Sequence, residues 1–348
     1  MLRSIHSRPL PWADKTMSVI RADLLEACEK DLAGFPSHCL FDADSKDLDA
    51  ESFYELSFFP EEDRLRADAG FLPKLHTVQE LRNRVLHQFA QETALLSVEE
   101  HDLLVRVTLM GGRAPLRDWN ELLPARGLAR RLWARVETGG SVRNLVMPRQ
   151  LCSAALLLMA GDSHRQVREI AEQVHDTIEN SLYLLGTVQA AGPERHFAAL
   201  LKGTFAENRP DLIRRFLLVG YDCVYDRGGR LLLIHPGLAE PDRLQAHAGA
   251  DMDPESLSSA SDSVEAVEDP LYTRMLGLLM DATRPEITPE DAVEDLIILA
   301  KQGVPPEEML SVLDSMLMCK STPEMAEALR AMHQEIPRWV NLGSSRVQ

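Results

Sequence analysis

Eight arginines crowd into residues 113–150, a stretch that has no lysine and only three acidic residues. Its net charge is therefore +5, although the whole chain of 348 residues has a formal net charge of −17. Like charges on one surface repel one another, so a basic stretch of this kind predicts contact with a negatively charged partner. We call residues 113–150 the arginine island. Its predicted partner-binding residues are Arg113, Arg117, Arg126, Arg130, Arg131, Trp133, Arg135, Arg143 and Arg149.

Negative charge within the chain competes with any such partner. The carboxylates of residues 42–68, or those of an acidic segment over residues 241–268, could fold back on the arginine island. Surface ion pairs of this kind contribute only about 0 to 1 kcal/mol each, so a better partner would displace them. We expect an acidic protein surface as that partner, with nucleic acid as the alternative. The sequence leaves the oligomeric state open.

Catalytic chemistry has weaker support in the sequence. Two His-Asp dipeptides, His101-Asp102 and His175-Asp176, contain the residue types that bind metal in metal-dependent phosphohydrolases. Two glutamates precede the first dipeptide, so we expect it to face solvent. The chain lacks the phosphate-loop, dinucleotide-binding, serine-elbow and zinc-protease motifs. We therefore expect a non-enzymatic regulatory or scaffold protein without a cofactor, and a metal-dependent hydrolase is the third hypothesis.

Helical spacing of apolar residues dominates the chain. It predicts a mainly α fold, an irregular helical array or bundle with one β-hairpin and a small C-terminal helical module. Ser97 with Glu100 forms a capping box, and Thr288 and Thr322 each precede a proline at the first position of a predicted helix. The hairpin is predicted over residues 221–235, because two β-rich runs flank a loop with two glycines.

The arginine island is itself expected on helices. One helix is predicted to begin near Leu116 and to be interrupted near Pro124, and helix is predicted again over residues 128–136. The spacing of three arginines, Arg126, Arg130 and Arg131, places them near one helical face, because residues three or four positions apart lie close together on a helix.

A nearly unbroken apolar run over residues 151–160 predicts a helix that is surrounded by protein. A second helix begins after a link of about two residues at Asp162. Together with the following Val167-Arg168 and an apolar stripe, this pair resembles a HEAT-like helical repeat over residues 148–188. The resemblance implies antiparallel helix pairs that stack on one another.

Two segments also permit a winged-helix interpretation, which would make the protein a nucleic-acid-binding regulator. Residues 150–192 have apolar offsets similar to those of bacterial winged-helix regulators, with the later hairpin as the wing. Their second helix, residues 176–188, has two acids and no lysine or arginine, which disfavours phosphate contacts. Residues 97–147 are better charged for that role. A degenerate, protein-binding form of the fold is the remaining possibility.

Composition divides the chain and indicates its compartment. Six of the ten phenylalanines lie in residues 35–71 among carboxylates, where we expect them to pack onto neighbouring helices. Five cysteines without a C-x-x-C pair favour a reducing compartment, and no apolar run reaches about 18 residues, so we predict a cytoplasmic protein without a membrane partner. The predicted divisions are a disordered tail (1–16), an acidic aromatic-rich segment (17–74), a helical core with the hairpin (75–240), an acidic serine-rich linker (241–268), a C-terminal helical module (269–339) and a tail (340–348).

Overall fold

The computed structural model describes residues 28–35, 38–41, 49–60, 77–117, 121–139, 142–226, 228–238, 254–285 and 287–339. Among these, two compact units are present. The arginine unit comprises residues 28–175 and 194–221, and the C-terminal unit comprises residues 176–193 and 222–339. The predicted tails, 1–16 and 340–348, lie outside the described residues. The mainly α prediction is confirmed.

Helices form most of the arginine unit. Two of them begin at capping boxes, Thr77 with Glu80 and Ser97 with Glu100, and the second of these boxes confirms the prediction. A helical segment over residues 28–34 precedes them. The helices of this unit before Asp162 are α1 (Ala50–Leu56), α2 (Val78–Glu92), the 3-10 turn η1 (Thr93–Leu95), α3 (Val98–Leu109), α4 (Leu122–Arg130) and α5 (Arg149–Met159).

The arginine unit also contains a three-stranded sheet that the sequence did not predict. Its strands are β1 (Arg113–Pro115), β2 (Arg135–Gly139) and β3 (Val142–Val146), paired antiparallel in the order β1-β3-β2. The helix predicted over residues 128–136 is therefore correct only over 128–130 and wrong beyond them, where β2 begins at Arg135. Helix α4 ends at Arg130, and Leu132 turns the chain with a φ of 60°, a left-handed conformation that is uncommon for a residue other than glycine.

One hydrophobic core joins these elements. It holds Leu81, Val85 and Phe89 of α2, and α2 packs against both α1 and α5. Phe53 and Phe59 of the acidic aromatic-rich segment are buried in the same core. Their burial agrees with the expectation that these rings pack onto neighbouring helices. Residues 17–27, 36–37, 42–48 and 61–74 of that segment lie outside the described residues.

A second sheet has the same strand order. Helix α6 (Asp162–Leu185), whose residues 162–175 belong to the arginine unit and 176–185 to the C-terminal unit, leads to β4 (Thr187–Gln189). Helices α7 (Ala191–Leu200) and α8 (Pro210–Gly220) follow in the chain, and then β5 (Asp222–Tyr225) and β6 (Leu231–Ile234) form the predicted hairpin. The sheet order is β4-β6-β5, so the hairpin belongs to a three-stranded sheet.

Both sheets follow one topological rule. A helix leads into the first strand, one or two helices follow, and the last two strands form a hairpin whose second strand lies in the middle of the sheet. The chain therefore uses the same arrangement twice, over residues 98–146 and 162–234. Helices α5 and α6 begin close to the positions that the HEAT-like resemblance implies, and that resemblance stays a prediction.

The C-terminal unit ends in four packed helices: α9 (Pro254–Leu279), α10 (Pro289–Gln302), α11 (Pro306–Met316) and α12 (Pro323–Glu335). Thr288 and Thr322 cap α10 and α12 as predicted. Helix α9 begins inside the segment 241–268 for which composition predicted a linker. Beyond Val264 its apolar residues keep a helical spacing, and Leu271 and Met275 are buried in the core. Residues 239–253 lie outside the described residues.

Candidate functional site

The structure distributes the arginine island over several elements. Arg113 lies in β1, Arg126 and Arg130 in α4, Arg135 in β2 and Arg143 in β3. Arg117 follows β1, Arg131 and Trp133 follow α4, and Arg149 begins α5. Of the three arginines predicted near one helical face, Arg126 and Arg130 share α4, and Arg131 follows its end. The expectation that the island lies on helices is wrong for the arginines in the strands, because three short strands occupy that part of the chain.

Two of the predicted contact residues are buried. Trp133 is fully enclosed and makes an edge-to-face contact with Phe89, with ring centroids 4.7 Å apart. Arg131 is only 5% exposed. Its guanidinium donates to Glu100 at 2.7 Å, and its Nε lies 3.9 Å from the carboxylate of Glu92. Burial therefore removes Trp133 and Arg131 from any surface that a partner could contact in this conformation.

The outer side of α4 is covered by other parts of the same unit. Arg126 pairs with Asp31 at 2.5 Å, and the Arg130 guanidinium lies 4.2 Å from the centre of the Phe58 ring. Leu32 packs with Leu122 in a small apolar cluster between residues 28–34 and α4. The chain itself thus neutralises Arg126 and covers Arg130, the two arginines of α4.

The sheet arginines also have partners within the chain. Arg113 and Arg135 both pair with Glu137, the first at 2.5 Å. They lie opposite Val146 on either side of β3, so the three charged side chains share one face of the sheet. Arg143 pairs with Glu29. These pairs are partly exposed, and each contributes on the order of 1 kcal/mol or less.

Three arginines stay open to solvent. Arg117 and Arg149 are exposed, and neither forms an ion pair with a residue that the structure describes. Arg113 keeps 59% of its side chain exposed despite its pairing with Glu137. We call these three residues the open arginines. Of the predicted partner-binding residues, these three are the ones whose side chains are exposed to solvent.

A second helix, α8, shows the same enclosure. Arg215 is buried and its Nε lies 2.6 Å from the Glu92 carboxylate, so Glu92 is placed between two arginines. Sequence reasoning missed both residues. The sequence could have indicated Glu92, because it lies on the same side of α2 as Val85 and Phe89. A charged residue at a position that faces the core requires a buried counter-charge, and Arg215 supplies it.

The histidines of the two His-Asp dipeptides have local, non-metal partners. His101 stacks on His164 with centroids 5.8 Å apart, and burial, followed by the positive charge of Arg168, lowers the pKa of His101 from 6.5 to about 4. His175 Nδ1 lies 2.5 Å from the Tyr221 hydroxyl. Among the described residues, no group of three or more histidine, cysteine, aspartate or glutamate side chains is arranged to hold a metal ion.

Neither the helices nor comparison with other proteins adds a functional assignment. Within the described part of the chain, every helix is too short or too polar to cross a membrane. Comparison with models of known families, with curated proteins and with solved structures finds no match.

Proposed function

We propose that this chain is a non-enzymatic scaffold or regulatory protein that binds an acidic macromolecular partner, and that the open arginines are its basic contacts. The observation that carries this proposal is the enclosure of α4. Asp31, Phe58 and Glu100 already contact the arginines of α4 and its end, and Glu137 and Glu29 pair with Arg135 and Arg143. Arg117 and Arg149 can therefore gain a new counter-charge without breaking an ion pair, and Arg113, which shares Glu137, is still 59% exposed.

The alternative, a nucleic-acid-binding regulator, has topological support. In a winged helix, a helix and a strand precede the recognition helix, and a hairpin follows it with its last strand in the middle of the sheet. Residues 98–146 and 162–234 both follow this order. A recognition helix must present its polar side to the major groove. By position, α4 and α8 would be those helices.

Both helices argue against that use. Helix α4 is covered on its outer side, and the buried residues of α8 include Leu212, Arg215 and Phe216. Docking α4 into a groove would first require the pairs of Arg126 and Arg131 to break. The enclosure therefore favours the protein-binding form of the fold, with strands and helices that stabilise the unit and leave only a small basic surface outside.

A charge-reversal experiment tests the proposal. The full chain is tagged, partners are collected from cell extract at physiological salt, and they are quantified by mass spectrometry. We expect the triple variant R113E/R117E/R149E to lose an acidic protein that the native chain retains. The control R165E/R274E/R330E makes the same change in net charge at exposed arginines outside the island. Equal retention by both variants, or equal loss, would contradict the role of the open arginines.

Duplex DNA and RNA provide the test of the alternative. Binding is followed by fluorescence anisotropy between 50 and 200 mM salt, a range over which phosphate-driven affinity falls steeply. We expect no saturable binding. Tight, salt-dependent binding that R126E abolishes would favour the nucleic-acid regulator instead.

A further inference from the structure

Helix α5 has an exposed apolar side that the sequence did not predict. Its whole surface was expected to be buried, and Leu151 and Ala155 are indeed enclosed against α2 and α3. In contrast, Leu156 is 50% exposed and Leu157 is 79% exposed. Contiguous exposed apolar patches, as distinct from single exposed side chains, mark interaction sites on soluble proteins.

The exposed side of α5 is basic at one end and apolar at the other. Arg149, Ser153, Leu156 and Ala160 are all exposed and recur at intervals of three or four residues, which forms one stripe along the helix. Arg149 begins the helix, and the leucines lie two turns further on. An α-helix of 11 residues is about 16 Å long, so the stripe has the length of three helical turns.

The end of α3 adds to this surface. Leu109 and Met110 are 72% and 53% exposed, and they lead into the turn at Gly112. A Cβ atom at Gly112 would lie 2.7 Å from the carbonyl oxygen of Met147 and 3.2 Å from Sγ of Cys152. The turn after α3 therefore lies against the beginning of α5, and two further exposed apolar side chains, Leu109 and Met110, precede that turn.

Positive charge at that end comes from two open arginines. Arg149 is in the stripe itself, and Arg113 lies in β1 opposite Val146, three residues before Arg149 in the chain. Both are exposed. The combination of an apolar stripe with arginines at one end is complementary to a helix that carries aliphatic residues on one side and carboxylates at its end.

We propose that the outer side of α5 binds an acidic amphipathic helix of a partner protein. This inference rests on the proposed scaffold function and specifies its partner and contact surface. Leu156 and Leu157 supply the apolar contact, where aliphatic residues at every third or fourth position of the partner helix pack. Arg149 and Arg113 pair with carboxylates at one end of the bound helix and so fix its direction.

Peptide display provides the test, because it requires no knowledge of the natural partner. A library of random 18-residue peptides is selected against the immobilised full chain at 0.15 M salt. Enriched peptides are then measured by fluorescence anisotropy against the native chain, L156S/L157S, R149E and the control F205S/M280S, which removes two exposed apolar side chains elsewhere. All five of these side chains are exposed, so the folded state should tolerate each change.

We expect enriched peptides to be acidic, with aliphatic residues at helical spacing. Their affinity should fall about tenfold or more in L156S/L157S, about threefold in R149E, and stay unchanged in F205S/M280S. Enrichment of basic or non-helical peptides would overturn the proposal, as would an absence of enrichment. Self-association of the native chain that L156S/L157S abolishes would also overturn it, since the occupant would then be a second copy.

The outcomes separate this inference from the proposed function. Acidic peptides that bind L156S/L157S as well as the native chain would refute the α5 surface and leave the scaffold function standing. Failure of both the peptide selection and the extract experiment would refute both.

Discussion

The buried ion pair between Lys301 and Glu268 in the C-terminal unit tests whether an enclosed charge depends on its counter-charge for stability. Lys301 is fully enclosed, and its Nζ lies 2.6 Å from Oε1 of Glu268. The Tyr183 hydroxyl donates to the other carboxylate oxygen, and Lys301 Nζ also lies 4.0 Å from the centre of the Tyr183 ring. Burial lowers the pKa of Lys301, and the charge of Glu268 opposes that effect.

Replacement of Lys301 by methionine keeps most of the side-chain volume and removes the charge. The Glu268 carboxylate would then be buried without a counter-charge, which costs about 3–5 kcal/mol of unfolding free energy. The double variant K301M/E268M removes both charges, and we expect it to recover most of that loss. The exposed pair of Arg274 and Glu327, separated by 3.2 Å, is the control. We expect R274M to cost no more than about 1 kcal/mol.

Unfolding should be followed locally, because the described residues form two units. Urea-dependent hydrogen exchange, measured by mass spectrometry on peptides from α10, reports the unfolding free energy of the element that carries Lys301. A cost below about 1 kcal/mol for K301M would refute the reasoning. E268M is measured as the second single variant. A double variant whose loss of unfolding free energy equals the sum of the losses in K301M and E268M would also refute the reasoning, because the two charges would then act independently.

Two further predictions concern local packing and pH. A Cβ at Gly127 would lie 1.8 Å from Oε1 of Glu100, so G127A should displace that carboxylate from Arg131 and lower the unfolding free energy by about 1–3 kcal/mol. In G220A the new Cβ meets nothing within 4 Å, so this control should raise the unfolding free energy by up to about 1 kcal/mol. Calorimetry that shows both variants to be stabilised would contradict the contact between Gly127 and Glu100. Burial and the charge of Lys301 lower the pKa of His235 from 6.5 to about 4, so the unfolded state takes up the proton first. Stability of the C-terminal unit should therefore fall by up to about 3 kcal/mol as the pH falls from 6.5 to 4. H235N, whose amide oxygen can still accept from the Gly237 N–H, should lose this contribution when urea-dependent hydrogen exchange is followed in that unit, and an unchanged slope there would contradict it.

Local chemistry made much of the helical framework predictable. The cap at Ser97 satisfies backbone groups with a side chain only three residues away, and the caps at Thr288 and Thr322 do the same. The hairpin that contains β5 and β6 was also predictable, because Asp226 and the glycines after it close a short loop. Such signals depend on neighbours in sequence, which the amino-acid order states directly.

Short strands and turns were not predictable in the same way. Strand β1 has three residues, too few to show an alternation of apolar and polar side chains. Arg135 and Glu137 alternate in β2, but the preceding apolar residues also fit a helical period. The decisive turn at Leu132 uses a positive φ that its sequence does not indicate, because a leucine rarely adopts this conformation.

The fate of the arginines depended on contacts far apart in sequence. Neutralisation within the chain was an explicit alternative, although its expected sources were residues 42–68 and 241–268. The carboxylates that pair with Arg126 and Arg143 belong instead to Asp31 and Glu29. The second of these pairs joins residues 114 positions apart, so only the tertiary fold could identify it.

Internal pairing of the arginines has a consequence for the speed of association. A neutralised ion pair has almost no field beyond a Debye length, about 8 Å at physiological ionic strength. At separations near that length, where the net charge is not yet fully screened, an approaching acidic protein is therefore exposed to the repulsive potential of a chain with a net charge of −17. An acidic partner would be slowed during its approach and attracted only within the last few ångströms, so its association rate constant should increase with added salt, opposite to the behaviour of electrostatically steered complexes.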